Sequence, residues 1–198
     1  ATLLAALVER SPQITPDRLE HEDAQLAHEL SKEALHKVYP KVVTAAEEGP
    51  DQQRARLRME ELVEREGSRE GEADRTGDTR SLDRRLAQRL YLLVQVKGQW
   101  QFPQQEWQQP ESSRDGLSRV LEASCGSELT THQMGNAPLG HLPLANGDAL
   151  FLWRHLYVSG TVNVPAECDY MWVTKEELIN CVDGELGHLA SVACGPFA

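Results

Sequence analysis

Residues 100–126 read WQFPQQEWQQPESSRDGLSRVLEASCG, and a few polar and glycine positions in this stretch keep a regular spacing. Gln105 is followed after five residues by Glu111, and Glu111 after seven residues by Arg119. Arg119 opens the segment RVLEASCG, which ends on Gly126. Glycine is common just after the last turn of a helix. The pattern predicts a loop that leads into a helix ending at Gly126.

The spacing resembles that of the Nudix box, in which a glycine, a glutamate and the segment Arg-Glu-aliphatic-x-Glu-Glu-x-Gly follow one another. We call residues 105–126 the box. The opening glycine of the pattern is Gln105 here, and the three glutamates after the arginine are Val120, Ala123 and Ser124. The resemblance implies a Nudix-like fold whose metal-ligand positions are lost.

The lost positions matter because Nudix carboxylates hold a divalent metal against a pyrophosphate. Steps of three and four residues place positions 120, 123 and 124 on one face of a helix. Mg²⁺ binds carboxylate and phosphate oxygens, which valine and alanine cannot supply and a serine hydroxyl replaces weakly. Glu122 remains, but about 100° of rotation per residue turns it away from that face. We therefore predict no metal ion, no cofactor and no catalytic residue, since metal-assisted hydrolysis has lost its Lewis acid.

The retained box residues have a structural interpretation. Glu111 and Arg119 are predicted to pair between the loop and the helix, and Gly126 to end the helix. Val120 and Leu121 are predicted to pack the helix onto a sheet. Large apolar side chains are expected to be buried around the loop. They are Trp100, Phe102 and Trp107.

Strand and turn signals surround the box. Short apolar runs and turn dipeptides such as Lys97-Gly98 predict a series of strands. Thr174 and Glu177 then form a capping box that starts a helix. The order predicts an α/β fold, namely a Nudix-like α/β/α sandwich with an N-terminal helical extension. The predicted strands lie at residues 89–96, 99–103, near 129–142, at 149–158 and at 170–173.

The N-terminal third has a different pattern. Apolar residues recur at helical steps over residues 17–38, before Tyr39-Pro40 breaks the helix, and again over residues 52–66. The following segment, GSREGEADRTGD, is polar and rich in glycine and charge, which predicts a flexible linker. We therefore predict three parts: a helical arm at 1–66, a linker at 67–80 and a Nudix-like domain at 81–198.

The first helix of the arm carries a narrow apolar stripe. Two lone amphipathic helices bury little apolar surface by themselves. The arm is therefore expected to dock either on its own domain or on a neighbouring protein, and a groove in a neighbour is favoured. The stripe consists of Leu19, Leu26, Leu30, Ala34 and Val38.

Four separate motifs resemble the large-subunit mitochondrial ribosomal protein forty-six family. They are TRSLDRRL at 79–86, FPQQEWQ at 102–108, GNAPLGH at 135–141 and WVTKEEL at 172–178. The similarity is weaker in the N-terminal third, where it rests on Arg10-Ser11-Pro12. The resemblance implies a structural component of the mitochondrial large ribosomal subunit near the central protuberance, located in the matrix and bound to other large-subunit proteins. Composition and periodicity do not show this.

The charge balance restricts the partner. A net charge of −11 has the wrong sign for extensive RNA binding, since phosphate contacts need lysine and arginine. Most of the surface is therefore expected to face proteins or solvent. A local exception is predicted to contact rRNA or an acidic protein, or else to form a solvated face with internal ion pairs, for instance to Asp83. It consists of Arg80, Arg84, Arg85 and Arg89.

No other sequence pattern indicates a site. The histidines form no zinc motif, and the cysteines have neither metal-ligand spacing nor a disulfide framework, so free thiols are expected. The apolar runs fall short of the ~20 residues that span a membrane. Neither a membrane nor a small-molecule substrate is expected as a partner. The cysteines are Cys125, Cys168, Cys181 and Cys194.

Two other function classes stay open. A divergent Nudix hydrolase of nucleoside diphosphate derivatives would need Glu106, Glu111 and Glu122 as unusual metal ligands. A nucleotide-binding module without catalysis would need room in the loop, where Gln104 and Gln105 occupy space that glycine would leave. The catalytically inactive scaffold is the favoured interpretation.

Overall fold

The computed structural model describes residues 1–15, 18–36, 49–144, 146–182 and 184–194. They form two compact units. The larger unit consists of Ala1–Thr15 with Glu70–Ala198, and the smaller of Pro16–Arg69. The predicted helix break at Tyr39-Pro40 lies outside the described residues.

The larger unit is built on one mixed sheet, to which the described residues contribute eight strands. These are β1 (Thr2–Arg10), β2 (Leu90–Val96), β3 (Gln99–Gln101), β4 (Gln104–Glu106), β5 (Thr130–Gln133), β6 (Gly140–Pro143), β7 (Ala149–Ser159) and β8 (Asp169–Val173). Strand β1 lies at the centre, parallel to β7 and antiparallel to β2 and β4. Strands β5 and β6 pair antiparallel with β7, and β3 and β8 pair antiparallel with β2.

The helices of the described residues belong to both units. The smaller unit has α1 (Glu20–His36) and α2 (Pro50–Glu66), and the larger has α3 (Glu72–Thr76), α4 (Ser113–Cys125), α5 (Lys175–Cys181) and α6 (Gly184–Ala193). None of these helices combines the length and the apolar character that a membrane span requires.

Side chains of β1 alternate between two apolar cores. Leu4 shares a buried cluster with Val120 of α4. Leu7 shares the second cluster with Leu178 of α5. A strand whose two faces are both covered is apolar along its length, which explains the uninterrupted burial from Leu4 to Val8. The predicted α/β/α sandwich is confirmed, with α4 on one face of the sheet and α5 and α6 on the other.

The position of β1 corrects the predicted domain boundaries. Residues 1–66 were assigned to a helical arm, yet Ala1–Thr15 belong to the sheet unit. The predicted linker at 67–80 is also partly ordered, since it contains α3 with Ala73 buried. Residues 1–15 lie in the sheet because β1 pairs with β7, far along the chain, and a local pattern does not reveal this pairing. Helix α3 begins at a local contact, in which the Gly71 N–H donates a hydrogen bond to the Asp74 carboxylate at 3.2 Å.

The smaller unit consists of two amphipathic helices with exposed apolar side chains. The side chain of Glu22 accepts a hydrogen bond from the Leu19 N–H at 2.8 Å, which caps the start of α1. At the start of α2, the Gln52 side chain accepts from the Gly49 N–H at 3.2 Å. The predicted helices therefore form, with α1 described from residue 20 to residue 36.

Four free thiols are present, as the cysteine pattern predicts. Cys125 and Cys194 are buried, and Cys168 and Cys181 are half-buried. Burial raises the pKa of Cys125 to about 12. A thiol that stays protonated in this way is a packing element rather than a nucleophile.

A neutral histidine is buried on β7, on the face of the sheet that α4 covers. His155 is 4% exposed, its Nδ1 lies 3.1 Å from Thr131 Oγ1 of β5, and its Nε2 has no hydrogen-bond partner. Burial, followed by the nearby His132, lowers the pKa of His155 to about 4. The folded state therefore holds the uncharged imidazole at neutral pH.

Lowering the pH is expected to destabilise the chain through His155. Its pKa is 6.5 when unfolded and about 4 when folded. In that window only the unfolded state binds the proton, so the free energy of unfolding falls as the pH falls. The expected loss from pH 7 to pH 5 is about 2 kcal/mol, measured by urea unfolding. His155→Gln should remove most of it, whereas the exposed control His188→Gln should not. An unchanged pH slope in His155→Gln would contradict this account.

Candidate functional site

Helix α4 begins where the box loop ends. The Ser112 hydroxyl accepts a hydrogen bond from the Asp115 N–H at 3.2 Å and donates to the Asp115 carboxylate at 2.7 Å. Gly126 has φ 84°, and its N–H donates to the Glu122 carbonyl at 3.0 Å. Because positive φ favours glycine, the helix ends at Gly126 as predicted.

Arg119 holds the box loop through four hydrogen bonds. Its Nε and Nη2 donate to the two carboxylate oxygens of Glu111, with 3.1 Å between Nε and Oε2. Its Nη1 donates to Oε1 of Gln105 at 2.7 Å, and Nη2 also donates to the Glu106 carbonyl at 3.0 Å. The predicted pair of Glu111 and Arg119 therefore forms. Gln105, which replaces the opening glycine of the Nudix pattern, takes part in the same contact. We call these hydrogen bonds the box clamp.

Glu111 is engaged through both carboxylate oxygens. Its Oε1 also accepts from the Gln108 N–H at 2.9 Å, and its carbonyl accepts from the Trp107 indole N–H at 3.0 Å. The hydrogen bonds from Arg119 and then from Gln108 hold the pKa of Glu111 below its usual range. Charge-assisted contacts of this kind occupy the lone pairs that a metal ion would otherwise need.

The three lost ligand positions lie in different environments. Val120 is fully buried in the core between α4 and the sheet, Ala123 is exposed and Ser124 is half-buried. None of these side chains offers a carboxylate. Across the part of the chain that the structure describes, no group of three His, Cys, Asp or Glu side chains is placed to hold a metal ion.

Gly116 contributes to the box although the sequence analysis did not single it out. A Cβ atom at this position would lie 2.5 Å from Cδ1 of Leu4 and 3.0 Å from Oε1 of Glu111. Glycine inside a helix costs about 1 kcal/mol relative to alanine, so its presence needs a packing reason. Here it lets α4 approach both β1 and the box clamp. An interior helical glycine was the available signal.

A groove of about 510 Å³ runs between α4 and β5. Helix α4 contributes Arg114 and Ser118 to its lining, and β5 contributes Thr131 and Gln133. None of the three lost ligand positions borders the groove. The groove is therefore separate from the positions at which a Nudix metal would be held.

Arg84 lies inside the larger unit. It is 7% exposed, and its guanidinium donates to the Glu177 carboxylate at 3.0 and 2.6 Å and to the Trp172 carbonyl at 2.7 Å. Its partner is thus Glu177 rather than Asp83. Partial burial raises the pKa of Glu177, but hydrogen bonds from Arg84 and the Thr174 N–H outweigh that effect and keep the pKa below its usual value. A buried and paired side chain is not free to contact rRNA or an acidic protein, so for Arg84 the first of the two predicted alternatives is wrong.

The other three arginines of that set differ in exposure and in ion-pair partner. Arg80 lies 2.7 Å from Asp169. Arg85 is exposed, with its Nε 4.0 Å from Asp74 and its N–H donating to the same carboxylate at 2.9 Å. Arg89 is half-buried. The internal ion pairs that were the alternative prediction therefore account for much of this set.

Comparison with protein families gave no matching family model. Among curated proteins, the chain is 35% identical over 129 residues to "Large ribosomal subunit protein mL46" of Mus musculus, which covers 58% of this chain and 46% of that protein. It is 29% identical over 149 residues to the protein of the same name from Neurospora crassa, covering 64% and 40%. The chain spans about half the length, or less, of the curated relatives it matches. The resemblance to this ribosomal protein family is confirmed over that shared region.

Solved structures of Nudix-type hydrolases are similar in fold. A Caenorhabditis elegans Ap4A hydrolase in a binary complex is 19% identical, with a TM-score of 0.44, and the match covers 52% of this chain and 82% of that one. A NUDIX family hydrolase from Clostridium perfringens is 15% identical, with a TM-score of 0.44, covering 53% and 87%. Neither similarity assigns an activity to the chain.

Removing Arg84 is expected to lower the stability of the fold. Arg84→Ala removes two hydrogen bonds to the Glu177 carboxylate and one to the Trp172 carbonyl, which should cost roughly 2 kcal/mol of unfolding free energy. Arg85→Ala is the matched control, because its exposed pair contributes little. Urea unfolding of both variants measures the difference. Equal stability of the two variants would show that the Arg84 contact has no structural role.

Proposed function

We propose that the chain is a structural component of the large subunit of the mitochondrial ribosome, in which its Nudix-like domain is a catalytically inactive scaffold. The observation that carries the proposal is the similarity to mL46 proteins, at 29 to 35% identity over 127 to 149 residues. Those proteins are named as parts of the large ribosomal subunit. This chain covers only part of their length, so the ribosomal role of the whole protein is part of the proposal.

The geometry of the box supports a role without hydrolysis. A divergent hydrolase would have to recruit Glu106, Glu111 and Glu122 as metal ligands. Glu111 already accepts hydrogen bonds from Arg119 and from the Gln108 N–H, so binding a cation there would disrupt the box clamp. The hydrogen bonds of Glu111 within the box clamp therefore compete with binding of a metal ion by the same carboxylate.

The loop geometry also argues against a nucleotide-binding module. The Gln104 side chain donates to the Gln101 side chain at 3.0 Å, and the Gln105 side chain accepts from Arg119. Both glutamines bond within the protein and occupy the space that a glycine would leave beside a ligand. This observation favours the scaffold over a nucleotide sensor.

In this proposal the chain works in the mitochondrial matrix, near the central protuberance of the large subunit, and binds mainly other large-subunit proteins. The net charge of −11 favours protein contacts over extensive rRNA contact. Any rRNA contact is limited to exposed cations such as Arg85, since Arg84 is committed to Glu177. No membrane, cofactor or small-molecule substrate has a role in it.

Sedimentation tests the proposal directly. A tagged chain expressed in cells is expected to migrate with the large ribosomal subunit when a mitochondrial lysate is separated on a sucrose gradient under conditions that dissociate the subunits. The tag alone is the control. A chain found only at the top of the gradient would contradict the proposal. So would Mg²⁺-dependent cleavage of nucleoside diphosphate derivatives that Glu111→Gln abolishes.

A further inference from the structure

Helix α1 and Leu19, the residue before it, present leucines to solvent along one side. Leu19 is 40% exposed, Leu26 37% and Leu30 54%. They follow one another at steps of seven and four residues, which places them on a single face of the helix. A row of exposed leucines on a soluble helix is costly unless another surface covers it. We call Leu19, Leu26 and Leu30 the leucine row.

The carboxylate of Asp23 lies on the same face as the leucine row. Asp23 is four residues after Leu19 and three before Leu26, so its side chain projects from the same face. Its visible partner is Arg18 at 3.6 Å, and both side chains are more than 60% exposed. An exposed pair of this kind contributes little and is easily exchanged for another cation. Asp23 therefore remains available to a cation facing the row.

The charge around the row is negative. Helix α1 contains five acidic residues and a single lysine. Phosphate groups would be repelled by this surface, so RNA does not suit it. The surface instead suits a protein that has an apolar groove and a lysine or arginine opposite Asp23, because charge complementarity fixes the register of a docked helix.

Helix α2 also exposes apolar side chains, but the charges around them are not predominantly negative. Met59 and Val63 are also exposed, at 65% and 70%. The charges beside them carry both signs and are paired within the helix, as in the 2.8 Å contact between Arg56 and Glu60. This helix therefore gives no preference for the charge of a partner, whereas α1 does.

We propose that the leucine row and Asp23 of α1 form a docking face for a basic protein of the large ribosomal subunit. The inference rests on the proposed function, which supplies the source of the partner. The helix lies in the apolar groove of that protein, with Asp23 bonded to its lysine or arginine.

Paired variants of the full chain test this docking face. Leu26→Ala with Leu30→Ala removes the row while keeping good helix formers, so circular dichroism should be unchanged. The tagged double variant is expected to bind large subunits about ten-fold less well than the unmodified chain in the sedimentation experiment. His21→Ala with His28→Ala, on the opposite face of α1, is the matched control and should bind normally. Asp23→Lys should also weaken binding.

A photo-crosslinking residue identifies what covers the row. Leu30→p-benzoylphenylalanine is expected to crosslink to a basic large-subunit protein, and His28→p-benzoylphenylalanine is not. A crosslink from position 30 to rRNA, or back to the chain's own domain, would overturn the inference. Equal sedimentation of the unmodified chain and the leucine variant with large subunits would also overturn it, while leaving the proposed function intact. Absence of the unmodified chain from those fractions would instead overturn the proposed function, and the inference with it.

Discussion

The guanidinium of Arg119 gives the box its shape through hydrogen bonds. It joins the first half of the loop, at Gln105 and Glu106, to Glu111 in the second half. Arginine keeps its charge at all relevant pH values and presents its donors in a fixed plane, so one side chain supplies both attraction and geometry. Helix α4, which carries Arg119, is anchored to the central strand through Val120 and the close approach at Gly116. The box clamp and these packing contacts thus connect the loop to the core.

The first and the last of the four motifs that resemble the ribosomal protein family are in direct contact. Arg84, from the first motif, binds Glu177, from the last, across 93 positions of sequence. The buried Arg10 at the end of β1 donates to the carbonyls of Arg84, Arg85 and Gln88, each at 3.1 Å. These arginines tie the segment before β2 to the central strand and to α5. Their role is internal to the larger unit.

Sequence reasoning succeeded where the deciding interaction is local. The capping box of Thr174 and Glu177, the end of α4 at Gly126 and the hairpin of β2 and β3 depend on residues a few positions apart. It failed for β1, whose parallel partner β7 is about 147 residues away in the register that pairs Thr2 with Ala149. It also failed for Arg84, because a cluster of arginines does not show which one turns inward. The pairing of Glu111 with Arg119 was predictable because the box spacing specifies both partners.

We infer that Glu111 and Arg119 hold the box together rather than bind a metal ion. A double-mutant cycle with Glu111→Ala and Arg119→Ala, read as the free energy of unfolding with and without Mg²⁺, tests it most directly. We expect a favourable coupling between the two residues, and the same stability of the unmodified chain with and without Mg²⁺. The inference would be contradicted by a negligible coupling together with an unmodified chain that Mg²⁺ stabilises and a Glu111→Ala variant that Mg²⁺ does not stabilise. A ligand raises the stability of a protein only when it binds the folded state, so that result would mean that Glu111 holds the metal ion.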